Sequence, residues 1–137
     1  MNNNCIFCKL ATREIPSHTI YEDNDFLVFL DAFPSSLGHT LIIPKAHFEN
    51  IFDIPEDTAA NLQRLVVRTA IALKNALGAS DINILQNNGK SAGQTVFHYH
   101  VHLIPRQESD GVSIRWATAK HSAEEFLNCA EQIKLEF

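Results

Sequence analysis

The chain reads as an α+β protein, with short strand-like runs on either side of one long amphipathic helix, an order that suits antiparallel strands with helices set to one side. Three observations predict it. Residues 19–43 hold three runs rich in β-branched and aromatic side chains, divided by turn residues. Residues 62–77 repeat apolar side chains at spacings of three and four. Residues 82–86 and 98–104 return to strand-like composition. At 137 residues, 45% hydrophobic and 20% charged, the chain has the size and balance of a single globular domain over 1–137.

The first strands are Thr19-Ile20-Tyr21, Phe26-Leu27-Val28-Phe29-Leu30 and Thr40-Leu41-Ile42-Ile43. The polar residues 22–25 make the first turn, and Pro34-Ser35-Ser36-Leu37-Gly38 divides the next pair. Leu62, Leu65, Val66, Thr69, Ala70, Leu73, Ala76 and Leu77 then form one face of a long helix. Asp53 with Glu56 predicts a capping box at its start, and Gly78 a stop. Ile82–Gln86 reads as a strand, followed by a polar, glycine-containing loop over 87–94. Near the end, Ser122 and Glu125 predict a second capping box. Phe126, Cys129, Ala130, Ile133 and Phe137 fall on one stripe, so a terminal helix is expected to pack on the domain or on a partner subunit, with Cys129 as a small core residue.

The formal net charge of −5 excludes a general basic surface for nucleic acid. No apolar run is long enough to span a membrane, and Met1-Asn2-Asn3-Asn4 lacks the apolar core of a secretory leader. A cytoplasmic protein acting on a small molecule, with no nucleic-acid or membrane partner, is the expectation.

The strongest chemical signal is His98-Tyr99-His100-Val101-His102-Leu103-Ile104, closed by Pro105-Arg106. Alternation at period two places the three imidazoles on one face of a strand and Phe97, Tyr99, Val101 and Leu103 on the other. One metal held by all three rings does not fit, because His98 and His102 would stand roughly 13 Å apart along a strand. The three histidines therefore divide their labour. Cys5-Ile6-Phe7-Cys8 adds a Cys-x-x-Cys pair in a chain with three cysteines. Such a pair reads as metal-binding or redox-active, or as two reduced cysteines in a partly buried turn. A thioredoxin-type role would need a βαβ unit around it, which the pattern lacks.

The histidine row resembles the His-φ-His-φ-His-φ-φ pattern of the histidine triad (HIT) family of nucleotide hydrolases and transferases. Phe29-Leu30-Asp31, Gly38-His39-Thr40-Leu41-Ile42-Ile43-Pro44-Lys45, Asn87-Asn88-Gly89 and Ala92-Gly93-Gln94-Thr95-Val96 are similar to further family blocks and stand in family order. The resemblance covers residues 5–106 and leaves the tail, 107–137, outside. It implies a five-stranded antiparallel sheet and commonly a homodimer.

For the site, the resemblance implies His100 as nucleophile toward the α-phosphorus of a nucleotide ester, anhydride or phosphoramidate, with a backbone carbonyl fixing its tautomer. His102 would contact the transferring phosphoryl group, His98 would complete the triad and His39 would brace it. Asn87, Gln94 and Thr95 match positions that hydrogen-bond phosphate or leaving-group oxygens, and Asp31 one that binds ribose. Ile6, Phe7, Leu10, Ile15 and Phe29 match a base pocket, and Ala32 is smaller than the usual aliphatic residue there. Similarity to zinc-containing members implies a closed, structural Zn2+ site from Cys5, Cys8, His47 and His98. Two other readings stay open on sequence: a nucleotide- or zinc-binding protein without turnover, and a His-x-His zinc hydrolase.

Overall fold

The computed structural model describes residues 2–137. Its elements are α1 (Ile6–Ala11), β1 (Thr19–Glu22), β2 (Phe26–Leu30), β3 (Thr40–Pro44), α2 (Glu56–Leu77), β4 (Asp81–Leu85), β5 (Val101–Arg106) and α3 (Ala123–Lys134), with a short 3₁₀ turn at Lys90–Ala92. The strands form one antiparallel five-stranded sheet in the order β1-β2-β3-β5-β4. The architecture is α+β, as expected.

Both faces of the central strands are covered, which is why β2 and β3 read as unbroken apolar runs rather than alternating ones. On one face Phe26, Val28, Ile42, Tyr99, Val101 and Leu103 pack with Leu62, Leu65, Val66 and Leu73 of α2. Burying those four helix side chains contributes on the order of 6–12 kcal/mol before conformational entropy is counted. On the other face Leu27, Phe29, Leu41 and Ile43 pack with Cys5, Phe7 and Cys8 around α1. Helix α2 ends at Gly78, whose φ of +66° suits a left-handed stop. No helix among the described residues is long and apolar enough to cross a membrane.

Several expectations are corrected. Asp53 and Glu56 form no capping box: Pro55 is the N-cap, with no side-chain hydrogen bond, and the Asp53 carboxylate accepts instead from the amides of Glu49 and Asn50, both at 2.9 Å. The last helix turn leaves the core, so Ala76 and Leu77 are exposed. Strand β5 begins at Val101 and runs through Pro105 and Arg106, so the Pro-Arg pair does not stop it. Pro105 pairs with Ile82 of β4, while pairing to β3 ends at Leu103, which leaves the proline's missing N–H on an unpaired side. His98 and His100 stand on irregular backbone just before the strand, and Phe97 is exposed whereas Tyr99, Val101 and Leu103 are buried.

Helix α3 has the expected capping box, with Ser122 Oγ accepting from the Glu125 amide and the Glu125 carboxylate accepting from the Ser122 amide. Its stripe does not pack on this domain. Phe126, Ile133 and Phe137 are exposed, and so is Cys129, which is no core residue.

Candidate active site

The second face of the sheet opens into a cavity of about 590 Å³. Ile6 and Leu10 of α1, with Phe7 and Ile15, make one wall, and Phe29 of β2 makes the floor. Asp31, just past the end of β2, stands at the rim with Thr95, His100 and His102. Mostly apolar walls with a few polar groups gathered at one side are the usual make-up of a small-molecule site. His18 and Phe33 also line the cavity and carried no recognisable pattern in the sequence.

The backbone gives each histidine a different task. The Nδ1–H of His100 donates to the carbonyl of His98 at 2.7 Å, so Nε2 keeps its lone pair. Phe7 meets the His100 ring edge-on with centroids 5.1 Å apart. Burial pushes the His100 pKa below the ordinary imidazole value, against the opposing pull of the His98 carbonyl and the Asp31 charge. A neutral ring with a free Nε2 is the nucleophilic form. Burial, aided by the neighbouring His100 and His39, pushes His102 down to about 4. His39 lies beneath the rim, its Nε2 2.9 Å from His102 Nδ1 and 3.5 Å from an Asp31 oxygen.

His98 faces elsewhere. Its Nε2–H donates to the carbonyl of Pro44 at 2.8 Å, which leaves Nδ1 as an acceptor. That nitrogen lies 3.4 Å from Cys5 Sγ, 3.6 Å from Cys8 Sγ and 3.2 Å from His47 Nδ1, and Cys8 Sγ lies 3.4 Å from His47 Nδ1. The four ligand atoms all fall within 4.8 Å of one another, a cluster that can hold a metal ion. Helix α1 creates it by setting Cys5 at its N-cap and Cys8 one turn on. The spacing Cys-x-x-Cys was visible in the sequence; the helix that turns both sulfurs inward was not.

The loop over 87–94 is arranged differently from the expectation. Gln94 is 3% exposed, and its amide is taken up internally: Oε1 accepts from the Gly89 amide at 2.7 Å, while Nε2 donates to the Glu49 and Val96 carbonyls. It holds the loop's shape and does not line the cavity. Asn87 also stands outside the lining, half-buried beside Gly93. Thr95 alone of the three has its side chain at the cavity.

A five-stranded antiparallel sheet with His100 and His102 at an apolar cavity, and His98 turned to a Cys/His cluster beside it, defines a histidine-triad class of domain. The HIT domain matches residues 12–109, and the chain belongs to the HIT family. It is similar to the adenosine 5'-monophosphoramidase HNT1 of Saccharomyces cerevisiae, 43% identical over 113 residues, 82% of this chain and 69% of that protein. Among solved structures, a HIT family protein from Bacillus anthracis has a TM-score of 0.91 at 39% identity, covering 100% of this chain and 99% of that one. A Zn-bound histidine triad family protein from Mycobacterium smegmatis has a TM-score of 0.77 at 38% identity, with 98% of each chain covered.

Proposed function

We propose that the protein hydrolyses adenosine-type nucleotide conjugates, such as phosphoramidates and dinucleoside polyphosphates, through a nucleotidylated His100. The lone pair on Nε2 forms the N–P bond at the α-phosphorus as the bond to the leaving group breaks. Water then attacks the same phosphorus, the N–P bond breaks, and the nucleoside monophosphate leaves with His100 restored. The observation that carries this reading is the 2.7 Å hydrogen bond from His100 Nδ1–H to the His98 carbonyl, which leaves the lone pair on Nε2 of a ring that lines the cavity. The similarity to a yeast adenosine 5'-monophosphoramidase supports it. His102 contacts the phosphoryl group or the departing atom, Thr95 donates to its oxygens, and Asp31 accepts from ribose hydroxyls. Phosphoryl transfer rests on such alignment and charge stabilisation.

The Cys5, Cys8, His47 and His98 cluster fits zinc. Tetrahedral coordination at ordinary Zn–N and Zn–S lengths sets N···N at about 3.3 Å and S···N at about 3.5 Å, which matches the spacings above. With four protein ligands and no open position, the metal has a structural role and tethers α1 to the triad. The bare apolar stripe of α3 supports a homodimer in which that helix covers a second copy. Sedimentation of the full chain beside a 121–137 deletion tests this, and an unchanged mass in the deletion removes α3 from the interface.

Intact-protein mass spectrometry tests the central reading, with wild type and His100→Ala exposed briefly to adenosine phosphoramidates and polyphosphates and quenched without acid. An AMP-sized adduct on wild type alone, with AMP released on longer incubation, is expected. A still-active His100→Ala variant overturns the nucleophile. Nucleotide binding with neither adduct nor AMP from any conjugate favours a binding protein without turnover.

A further inference from the structure

We propose that a second cleft beside the cavity, formed by the N-terminal turn and residues 95–97, receives the group that leaves the α-phosphorus. Its side chains select uncharged leaving groups that carry a carboxamide and a planar ring. The inference deepens the nucleotidyl-transfer reading and rests on it for the place of the phosphorus.

The cleft holds about 300 Å³ and shares Ile6, Thr95 and Val96 with the cavity, so the two adjoin along one ridge. His100 and His102 line the cavity and not the cleft. Attacking and leaving atoms stand in line across a transferring phosphoryl group, so a group displaced by His100 departs on the side away from that ring. Leu10, Ile15 and Phe29 take the nucleoside at the other end of the cavity. The adjoining space that touches Thr95 but neither histidine is the one that suits the departing group.

Two hydrogen bonds shape the wall nearest α1. The Asn2 carbonyl accepts from the Cys5 amide at 3.0 Å, and Asn2 Oδ1 accepts from the Asn4 amide at 3.0 Å. They close a turn that ends at Cys5, the N-cap of α1, so the helix sets where Asn2 and Asn4 stand. Phe97 also lines the cleft and leaves 43% of its surface open.

The chemistry of the lining narrows the occupant. Among the described residues, no Lys, Arg, Asp or Glu lines the cleft. A carboxylate or a second phosphate placed there loses water without meeting a cation. A carboxamide exchanges donor and acceptor with Asn4, which offers both. A planar ring gains from edge-on or offset contact with Phe97.

Steady-state kinetics of the full chain test this with AMP phosphoramidates of ammonia, phenylalaninamide and phenylalanine, which share the nucleoside and the P–N bond. Phe97→Ala is expected to lower the preference for the phenylalaninamide conjugate over the ammonia conjugate, in kcat/KM, about three- to tenfold. Asn4→Lys is expected to shift the preference between phenylalaninamide and phenylalanine about threefold toward the carboxylate. Equal losses on the ammonia and phenylalaninamide conjugates in Phe97→Ala, or an unchanged amide-to-carboxylate ratio in Asn4→Lys, overturn the cleft. Calorimetry with an uncleavable analogue, a 5'-carbamate of adenosine and phenylalaninamide, reads the same contact without turnover. Phe97→Ala is expected to weaken its binding about three- to tenfold, and unaltered affinity overturns the cleft. That loss in a protein that cleaves none of the conjugates supports the cleft and overturns the nucleotidyl-transfer reading alone.

Discussion

His98 ties the metal-type cluster to the nucleophile: its carbonyl accepts the His100 Nδ1–H at 2.7 Å, while its ring turns the other way to meet Cys5, Cys8 and His47. One residue therefore belongs to both constellations. Anything that fixes the His98 ring also fixes the carbonyl that sets the His100 tautomer. The cluster stands beside His100, and its geometry reaches that ring through the shared residue.

Removing the zinc proposed for this cluster should therefore cost stability first and rate second. A ligand bound at a hundred times its dissociation constant stabilises the native state by about 2.7 kcal/mol, which corresponds to a Tm change on the order of 10 °C for a chain of this size. Cys8→Ala, or the wild type stripped by a chelator, should melt lower by roughly that amount. Its kcat should drop while His100 remains adducted by substrate. An unchanged Tm after chelation, with zinc absent by elemental analysis in the untreated protein, would favour two plain reduced cysteines.

Asp31 has a double engagement that separates binding from chemistry. One oxygen accepts from the Phe33 amide, and the other faces His39, yet a carboxylate retains further lone pairs toward the cavity. Asp31→Asn keeps the shape and removes the charge. Losing a charge-assisted hydrogen bond to ribose costs about 1.5–3 kcal/mol, so kcat/KM for adenosine conjugates should fall about 10- to 100-fold, mainly in KM. Comparison with 2',3'-dideoxyadenosine conjugates checks the assignment, because wild type and variant should then perform alike. A variant that loses as much on the dideoxy conjugates would remove ribose from the account.

Gly38 connects the turn over 34–37 to β3 in a conformation other residues resist. Its φ is +92°, and a Cβ there would collide with Leu77 and press Pro105 at 3.3 Å. Gly38→Ala should destabilise the fold by about 1–3 kcal/mol, seen as a lower urea midpoint with an unchanged slope. A midpoint matching wild type would mean that the turn has more freedom than its hydrogen bonds imply.

Sequence periodicity made the sheet and α2 legible because both bury regular stripes: Phe26 and Val28 point to α2 while Leu27 and Phe29 point to α1 and the cavity. The residues of the site were legible too, since three alternating histidines and a Cys-x-x-Cys pair have few ordinary explanations. What periodicity does not encode is where one side chain's hydrogen bonds go. Gln94 looked like a phosphate donor, but its amide closes the 87–94 loop. Asp53 looked like a helix cap, but it ties the Glu49 and Asn50 amides. Both roles depend on long or irregular contacts that no local pattern records. Nor did anything in Pro34-Ser35-Ser36 announce that the Ser35 amide would donate to the His39 ring at 3.0 Å.

Buried neutral histidines also give stability a pH dependence with a definite sign. His102 is pushed from 6.5 down to about 4, first by burial, then by the positive charge that His100 and His39 would carry, with Asp31 opposing. Burial lowers His39 as well, again against Asp31. In the unfolded chain these rings take up protons as the pH falls through 6.5, whereas folded His102 waits until about 4. Between those values the unfolded state binds more protons, so stability falls as the pH is lowered through that window and is fully present above it. Urea unfolding at pH 7, 5.5 and 4.5 should show the loss, with His102 contributing on the order of 1–3 kcal/mol. A metal held by cysteines and histidines is also lost in acid, so the comparison that decides is wild type against His102→Gln, which shares that term. The variant should lose less stability on acidification; equal losses would mean that the His102 ring is open enough to water to protonate in the folded state.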